Sequence, residues 1–290
     1  MLLTPANNRD TVIAAYWHRL PQRAVTAGIK SQKRRANVNQ ITLIAVPGVP
    51  HIRPGDALAQ LLLQAVAAAG LALQPGDVLA IAQKVVSKAE GRFVCLADIR
   101  PGPEAERVAA ATGKDPRLVE VILRESQEIS RLRQGVLIVR HRLGFVSANA
   151  GVDRSNVPQT DDERVLLLPV DPDASAVAIR EYILRETGVA VGVVITDSHG
   201  RPFRLGTVGV ALGVAGLPAL WDRRGEPDLY GYTLQHTEVG LADEVAAAAG
   251  LLMGQAAEGT PVVIVRGLQF PAGEGRAADL IRSQALDLYR

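Results

Sequence analysis

Between Val193 and Gly216 the chain reads VVITDSHGRPFRLGTVGVALGVAG, and a carboxylate, two hydroxyls and an imidazole stand in succession at Thr196, Asp197, Ser198 and His199. Val193, Val194 and Ile195 precede them as a buried strand would. Gly200 and Pro202 break regular structure just beyond, so the four polar residues are expected at a strand tip. Such tips are where α/β proteins gather ligands. Arg201 and Arg204 follow three apart, and Gly206, Gly209, Gly213 and Gly216 leave room for close backbone approach. A carboxylate suits a hard cation and arginines suit phosphate oxygens, so the stretch is coherent as a metal and phosphate site. The alternative is a strand-to-turn junction in which Asp197 caps the next element and the arginines face water.

Two more runs carry chemistry. Gln83 to Arg92 (QKVVSKAEGR) brings three cations, Lys84, Lys88 and Arg92, off an apolar strand together with the neutral donors Gln83 and Ser87. That composition reads as an anion site, against the alternative of a loop whose lysines are in water. Phe145 to Asn156 (FVSANAGVDRSN) collects the oxygen donors Asn149, Asp153, Ser155 and Asn156 in a Gly-containing turn region. Asp153 is its anionic member, and it remains a lone turn aspartate unless a second carboxylate converges on it.

The elements that must position these residues are legible in outline. Ile41 to Val46 reads as a strand, stopped by Pro47, Gly48, Val49 and Pro50. A helix should follow through Leu58 to Val66, with Asp56 as N-cap and Gly70 as stop. Asp77 to Ala82 is the next strand. Helices are expected over Glu104 to Ala111 and over Pro116 to Glu125, the latter capped by Asp115. Val136 to Val139 resumes strand character, Ser175 to Thr187 is an amphipathic helix ended by Gly188, and Pro261 to Val265 is a late strand. Glu238, Asp243 and Glu244 should open an Ala-rich helix running through Ala249 toward Gly259. The pattern predicts an α+β fold, mixed sheets with flanking helices, in one unit that can consist of two interleaved lobes.

Residues 1–39 differ in character and read as an N-terminal extension to the domain at 40–290. Asp10 to Leu20 could form a short helix there. Lys30, Lys33, Arg34 and Arg35 could form a basic arm for nucleic acid or a solvated linker.

Composition narrows the classes. The 290 residues contain a single cysteine, Cys95, so no intrachain disulfide can form and a reducing compartment, the cytoplasm, is expected. Lys and Arg number 32 against 30 Asp and Glu, so the whole chain does not ask for a nucleic-acid or membrane partner. No apolar run approaches the roughly 20 residues needed to span a bilayer. Aromatics are 4%, too few to suggest stacking platforms for bases. The chain has no G-x-x-x-x-G-K-[ST] loop, no G-x-S-x-G elbow and no i, i+4 pair among its five histidines, which disfavours a Walker A nucleotide site, a serine hydrolase and a zinc centre.

Five separated blocks, GDVLAIAQKVVSKAEGR at 76–92, SANAGVDRSN at 147–156, ITDSHGRPFRLGTVGVALGVAG at 195–216, DLYGYTLQHTEVGLADEVAAAAGLLMGQ at 228–255 and PVVIVRGL at 261–268, resemble the coenzyme F420-0:L-glutamate ligase (F420 gamma-glutamyl ligase) family. The resemblance implies a GTP-dependent amide ligase, with 40–290 as its catalytic domain. The terminal carboxylate of a deazaflavin precursor is phosphorylated, and the amine of L-glutamate then displaces phosphate. It implies two divalent ions, Mg or Mn, at Asp153, Asp197, Ser198 and Gln255, with Asp153, Asp197 and Arg204 as catalytic residues and Arg201 beside Arg204 as an anion binder near the acceptor. The nucleotide is then expected against Pro47, Gly48, Val49, Pro50, Gln83, Lys84, Lys88 and Asn156, and against the loop of Met253, Gly254, Gln255, Ala256, Ala257, Glu258, Gly259 and Thr260. A homodimer and assistance from potassium are implied too.

Departures from the family pattern are few. Gln255 stands where some relatives carry glutamate, Ala256 and Ala257 where some carry glycine, and Ser198 where threonine is frequent. The activity that a second, flavin-binding domain lends to longer fused relatives is expected to be absent. An amide ligase with a different carboxylate acceptor, or a GTP- and metal-binding homologue without catalysis, are the alternatives.

Overall fold

The computed structural model describes residues 39–158 and 163–287. Residues 1–38 of the proposed extension, with its Asp10 to Leu20 helix and its basic run, lie outside the described residues. In chain order the elements are β1 (Thr42–Ala45), α1 (Leu58–Ala68), β2 (Val78–Ala82), α2 (Gln83–Ala89), β3 (Phe93–Cys95), α3 (Pro103–Thr112), α4 (Pro116–Arg124), β4 (Ser126–Arg133), β5 (Val136–His141) and β6 (Val146–Ala148). They continue with β7 (Arg164–Leu166), α5 (Pro172–Thr187), β8 (Gly192–Arg201), β9 (Arg204–Ala215), β10 (Trp221–Asp222), β11 (Glu238–Val239), α6 (Leu241–Met253) and β12 (Val262–Arg266).

The apolar runs become the centre of a five-stranded mixed sheet in the order β1-β12-β2-β8-β9. Only β2 and β8 pair in parallel; the other neighbours are antiparallel. Both faces of this sheet are covered, which is why its strands read as continuous apolar segments and not as alternating ones. Leu79, Ile81, Val193, Ile195, Val262 and Ile264 belong to one core with Leu62 and Val66 of α1 and Ile179 and Ile183 of α5. Val78, Ala80, Val194, Val263 and Val265 turn the other way, against Val245, Ala246 and Ala249 of α6. At roughly 2 kcal/mol per buried aliphatic side chain, the base of β8 is held firmly enough to carry polar residues at its far end.

A second core lies wholly within residues 94–167 and joins α3, α4, β5 and β7 through Val108, Val119, Ile122, Leu137, Val139 and Val165. It is one continuous insertion in the chain between β2 and β8, with the small sheets β4-β5-β6 and β3-β7. The fold is therefore α+β with mixed sheets, as the pattern predicts, and the second lobe is nested in the first.

Several local expectations are corrected. Asp56 does not cap α1. The N-cap is Ala57, without a side-chain bond, and Asp56 Oδ2 instead accepts from the Arg53 amide at 2.8 Å, closing the turn at Pro54 and Gly55. Thr196 to His199 lie within β8, which runs on to Arg201 as a ribbon with β9; Pro202 and Phe203 make the turn. The ladder hydrogen bonds of β9 outweigh the breaker signal of Gly200, and a bulge between Ile195 and Thr196 marks where the polar residues begin. Asp197 is thus no helix cap. Gln83 to Ala89 is helix α2, not a loop, and the Ala-rich helix ends at Met253 because Gly254 takes φ +70° and ψ −170°, open only to glycine.

Candidate active site

The parallel register of β2 and β8 sets Ala82 beside Thr196, so both strands end together. Beyond that point the sequence supplies Gln83, Lys84 and Lys88 on α2 and Asp197 and Ser198 on β8. These side chains line a cleft of about 670 Å³ whose other walls are residues 49–52, 148–156 and 253–261.

Asp153 is fixed from both directions. Its backbone exchanges two hydrogen bonds with Leu166 of β7, at 3.1 and 2.9 Å. Its carboxylate accepts from the Ser155 amide at 2.8 Å and from the Ser155 hydroxyl at 2.6 Å. Lys84 Nζ reaches it from α2, 2.5 Å from Oδ2, and also donates to Ser155 Oγ. Burial opposes ionisation of Asp153, but the bonds from Lys84 and Ser155 outweigh it and hold its pKa below the usual carboxylate value.

Lys88 Nζ donates to the Asn156 carbonyl at 2.6 Å, and burial together with the neighbouring Lys84 charge lowers its pKa. Two ammonium groups side by side in a half-closed cleft favour a polyanion between them. Asn156 Nδ2 in turn donates to the Ala256 carbonyl at 2.9 Å, tying the second lobe to the 253–260 loop. Asn149 and Asn156 both line the cleft and take positive φ, +53° and +55°, the kind of backbone strain that persists where surrounding structure enforces it.

Ser198 Oγ donates to Gln255 Oε1 at 2.7 Å, so two of the expected metal-binding oxygens already meet. Asp197 lies in the same cleft, its Oδ2 3.3 Å from Nε2 of His199, whose ring leans on Phe145. Asn149 Oδ1 is buried in the cleft wall and finds no partner among the described residues. Among the described residues no three His, Cys, Asp or Glu side chains cluster. The available donors are carboxylate, hydroxyl and amide oxygens, a set that fits a hard divalent ion such as Mg or Mn.

Of the residues expected in the site, Val49, Pro50, Gln83, Lys84, Lys88, Asp153, Asn156, Asp197, Ser198 and the whole run from Met253 to Thr260 line the cleft. Pro47 and Gly48 lie outside the lining. So do Arg201 and Arg204, which face each other at the outer end of the ribbon, where Arg201 donates to the Leu205 carbonyl. Gln83 is 3% exposed and accepts from the fully buried Ser87, so these two bond to each other. His51, Ile52, Val152 and Gly250 also line the cleft and carry no signal in the sequence beyond their nearness to the motifs; Gly209, one of the glycines expected to allow close backbone approach, lines it too. Gly209 has a physical reason: a Cβ there would stand 2.3 Å from the Ala246 carbonyl oxygen, so only glycine lets β9 approach α6 this closely.

The model of the F420-0:gamma-glutamyl ligase family matches residues 48–267, well over half of the chain. The chain belongs to the F420-0:gamma-glutamyl ligase family. Every residue of the cleft lining falls within that matched stretch. Curated members of this ligase family are similar along nearly their full length. The coenzyme F420:L-glutamate ligase of Methanothermobacter thermautotrophicus is 50% identical over 254 residues, covering 86% of this chain and 99% of that protein. That of Methanopyrus kandleri is 51% identical over 249 residues, 84% and 96% of the two chains. That of Methanocaldococcus jannaschii is 43% identical over 259 residues, 89% and 98%. Among the described residues no helix is long and apolar enough to cross a membrane.

Proposed function

We propose that this chain joins L-glutamate to the F420-0 deazaflavin precursor, driven by GTP and passing through an acyl phosphate. The observation that carries the reading is the meeting of Lys84 and Lys88 with Asp153, Asp197, Ser198 and Gln255 around one cleft. In the first step a carboxylate oxygen of the precursor attacks the γ-phosphorus, and the bond from that phosphorus to GDP breaks. The glutamate amine then attacks the acyl carbon, the carbon–oxygen bond to phosphate breaks, and the nitrogen's surplus protons pass to solvent.

Lys84 and Lys88 would bind phosphate oxygens, and the 253–260 loop would cover the nucleotide while limiting water's access to the activated acyl group. Asp153, Asp197, Ser198 and Gln255 would hold two Mg or Mn ions, which when bound neutralise charge on the transferring phosphoryl group. Arg201 and Arg204 lie on the ribbon, outside the cleft lining that holds Lys84 and Lys88, where an acceptor anion could meet them. The exposed Phe203, Leu205, Leu229 and Tyr230 are consistent with the homodimer that the family resemblance implies. Potassium assistance and a cytoplasmic location belong to the same proposal.

The test is turnover with the unglutamylated precursor, L-glutamate and Mg or Mn, comparing GTP with ATP and K with Na, read by mass. Gain of glutamyl mass with GTP supports the reading. Metal-dependent GTP binding or hydrolysis without that product would redirect the search to another carboxylate acceptor, and product with ATP alone would overturn the nucleotide assignment.

A further inference from the structure

Lys84 and Asp153 have so far been given separate tasks, phosphate binding and ion binding, yet they are bonded to each other. Asp153 cannot swing away: Leu166 holds its backbone and Ser155 holds its carboxylate. Lys84 sits on the second residue of α2 with a long side chain, so it is the partner free to leave. Its ammonium lies on Oδ2, one of the oxygens that a divalent ion would need.

We infer that Lys84 is an exchangeable placeholder cation, which an ion arriving at Asp153 must displace and which the phosphates of the nucleotide then take up. Binding of ion and nucleotide is thereby coupled through one side chain. An ion alone must expel an ammonium that has no anion to go to, with Lys88 as its neighbour. A nucleotide alone must pull Lys84 off Asp153 and leave a half-buried carboxylate without its counter-charge, held by Ser155 alone. Together, each ligand removes the cost of the other, and by linkage the coupling is equal in both directions.

The inference rests on the proposed ion site, and its test separates the two. Mn²⁺ binding to the full chain is measured by the loss of the free-ion EPR signal, without nucleotide and with a non-hydrolysable GTP analogue, in wild type, Lys84→Met and Lys88→Met. Without nucleotide, Lys84→Met should bind Mn²⁺ about fivefold tighter than wild type or more. Lys88→Met removes the same charge from the same cleft but is bonded to a carbonyl of Asn156, so its gain should be clearly smaller. The analogue should tighten Mn²⁺ binding more in wild type than in Lys84→Met. Unchanged or weaker binding in Lys84→Met, or equal gains in both variants, would overturn the inference while leaving the ion site in place. Absence of Mn²⁺ binding in every protein, with analogue present, would remove the site and the inference together. Circular dichroism controls for folding, and Lys84→Gln, also lacking the charge, should repeat the direction.

Discussion

Glu125, at the C-terminal end of α4, is 12% exposed and gathers three cationic or donor groups on one oxygen. Arg92 Nη2 and Arg142 Nε each lie 3.0 Å from Oε2, and His141 Nε2 lies 3.7 Å away. The Leu143 amide donates to His141 Nδ1, so the ring's proton is on the nitrogen that faces Glu125. Arg92 also donates to the Leu168 carbonyl, so this hub ties the end of α2 to the second lobe and sets the frame in which Lys84 meets Asp153. Desolvation pushes the Glu125 pKa up, but His141, Arg142 and Arg92 prevail and bring it from 4.5 to about 2.

A shift of that size corresponds to about 3 kcal/mol of folding stability. The folded pKa is the depressed one. The contribution is therefore complete above the unfolded value near 4.5 and is lost as pH falls through about 2. Glu125→Gln should cost about 3 kcal/mol at pH 7, or roughly 10 °C in melting temperature, and the gap to wild type should narrow to about 1 kcal/mol at pH 3. Urea unfolding followed by circular dichroism at pH 7, 4.5 and 3 reads this directly. A gap that is the same at every pH, or below about 1 kcal/mol at neutral pH, would refute the hub as an electrostatic clamp.

Other outcomes follow from the same geometry. Asp197→Asn should lower turnover by roughly a hundredfold or more with an unchanged melting temperature, because a neutral amide holds a divalent ion poorly; near-normal turnover would dismiss Asp197 from the ion site. Gly209→Ala places a methyl 2.3 Å from the Ala246 carbonyl oxygen and should destabilise the protein by about 2 kcal/mol, measured as a fall in melting temperature. Asn156→Ala loses the bond to the Ala256 carbonyl, so nucleotide affinity should fall about fivefold in a fluorescence titration, with faster amide exchange in residues 253–260. Unaltered exchange there would mean that the loop is held by other contacts, such as Thr260 Oγ1 on the Leu252 carbonyl.

The main sheet is legible in the sequence because burial on both faces leaves unbroken apolar runs, such as VLAIA at 78–82 and VVIVR at 262–266. Proline and glycine punctuation locates α3, α4 and α5 for the same local reason. Asp56 misleads because a carboxylate before a helix can bond to a turn as readily as to the helix, and sequence does not rank the two. The polar end of β8 is hidden because what keeps it extended is β9, a partner from later in the chain. The cleft depends even more on distant pairings. Lys84 with Asp153 and Asn156 with Ala256 are 69 and 100 residues apart, distances over which periodicity is silent. The residue types in each motif were readable; which motif faces which was a matter of topology.

The strand order of the main sheet has a consequence for biosynthesis. β12 is the last of the sheet's strands to be made, yet it lies between β1 and β2, the first two. While the ribosome is still translating, β1 has no neighbour in the sheet, and β2 has one side unpaired. Residues 262–266 therefore close the sheet in a single late insertion, and Pro261, whose carbonyl accepts from the Ala82 amide, joins the cleft wall at the same moment. A chain released before that point would expose two apolar strand edges and be a natural client for chaperones and proteases.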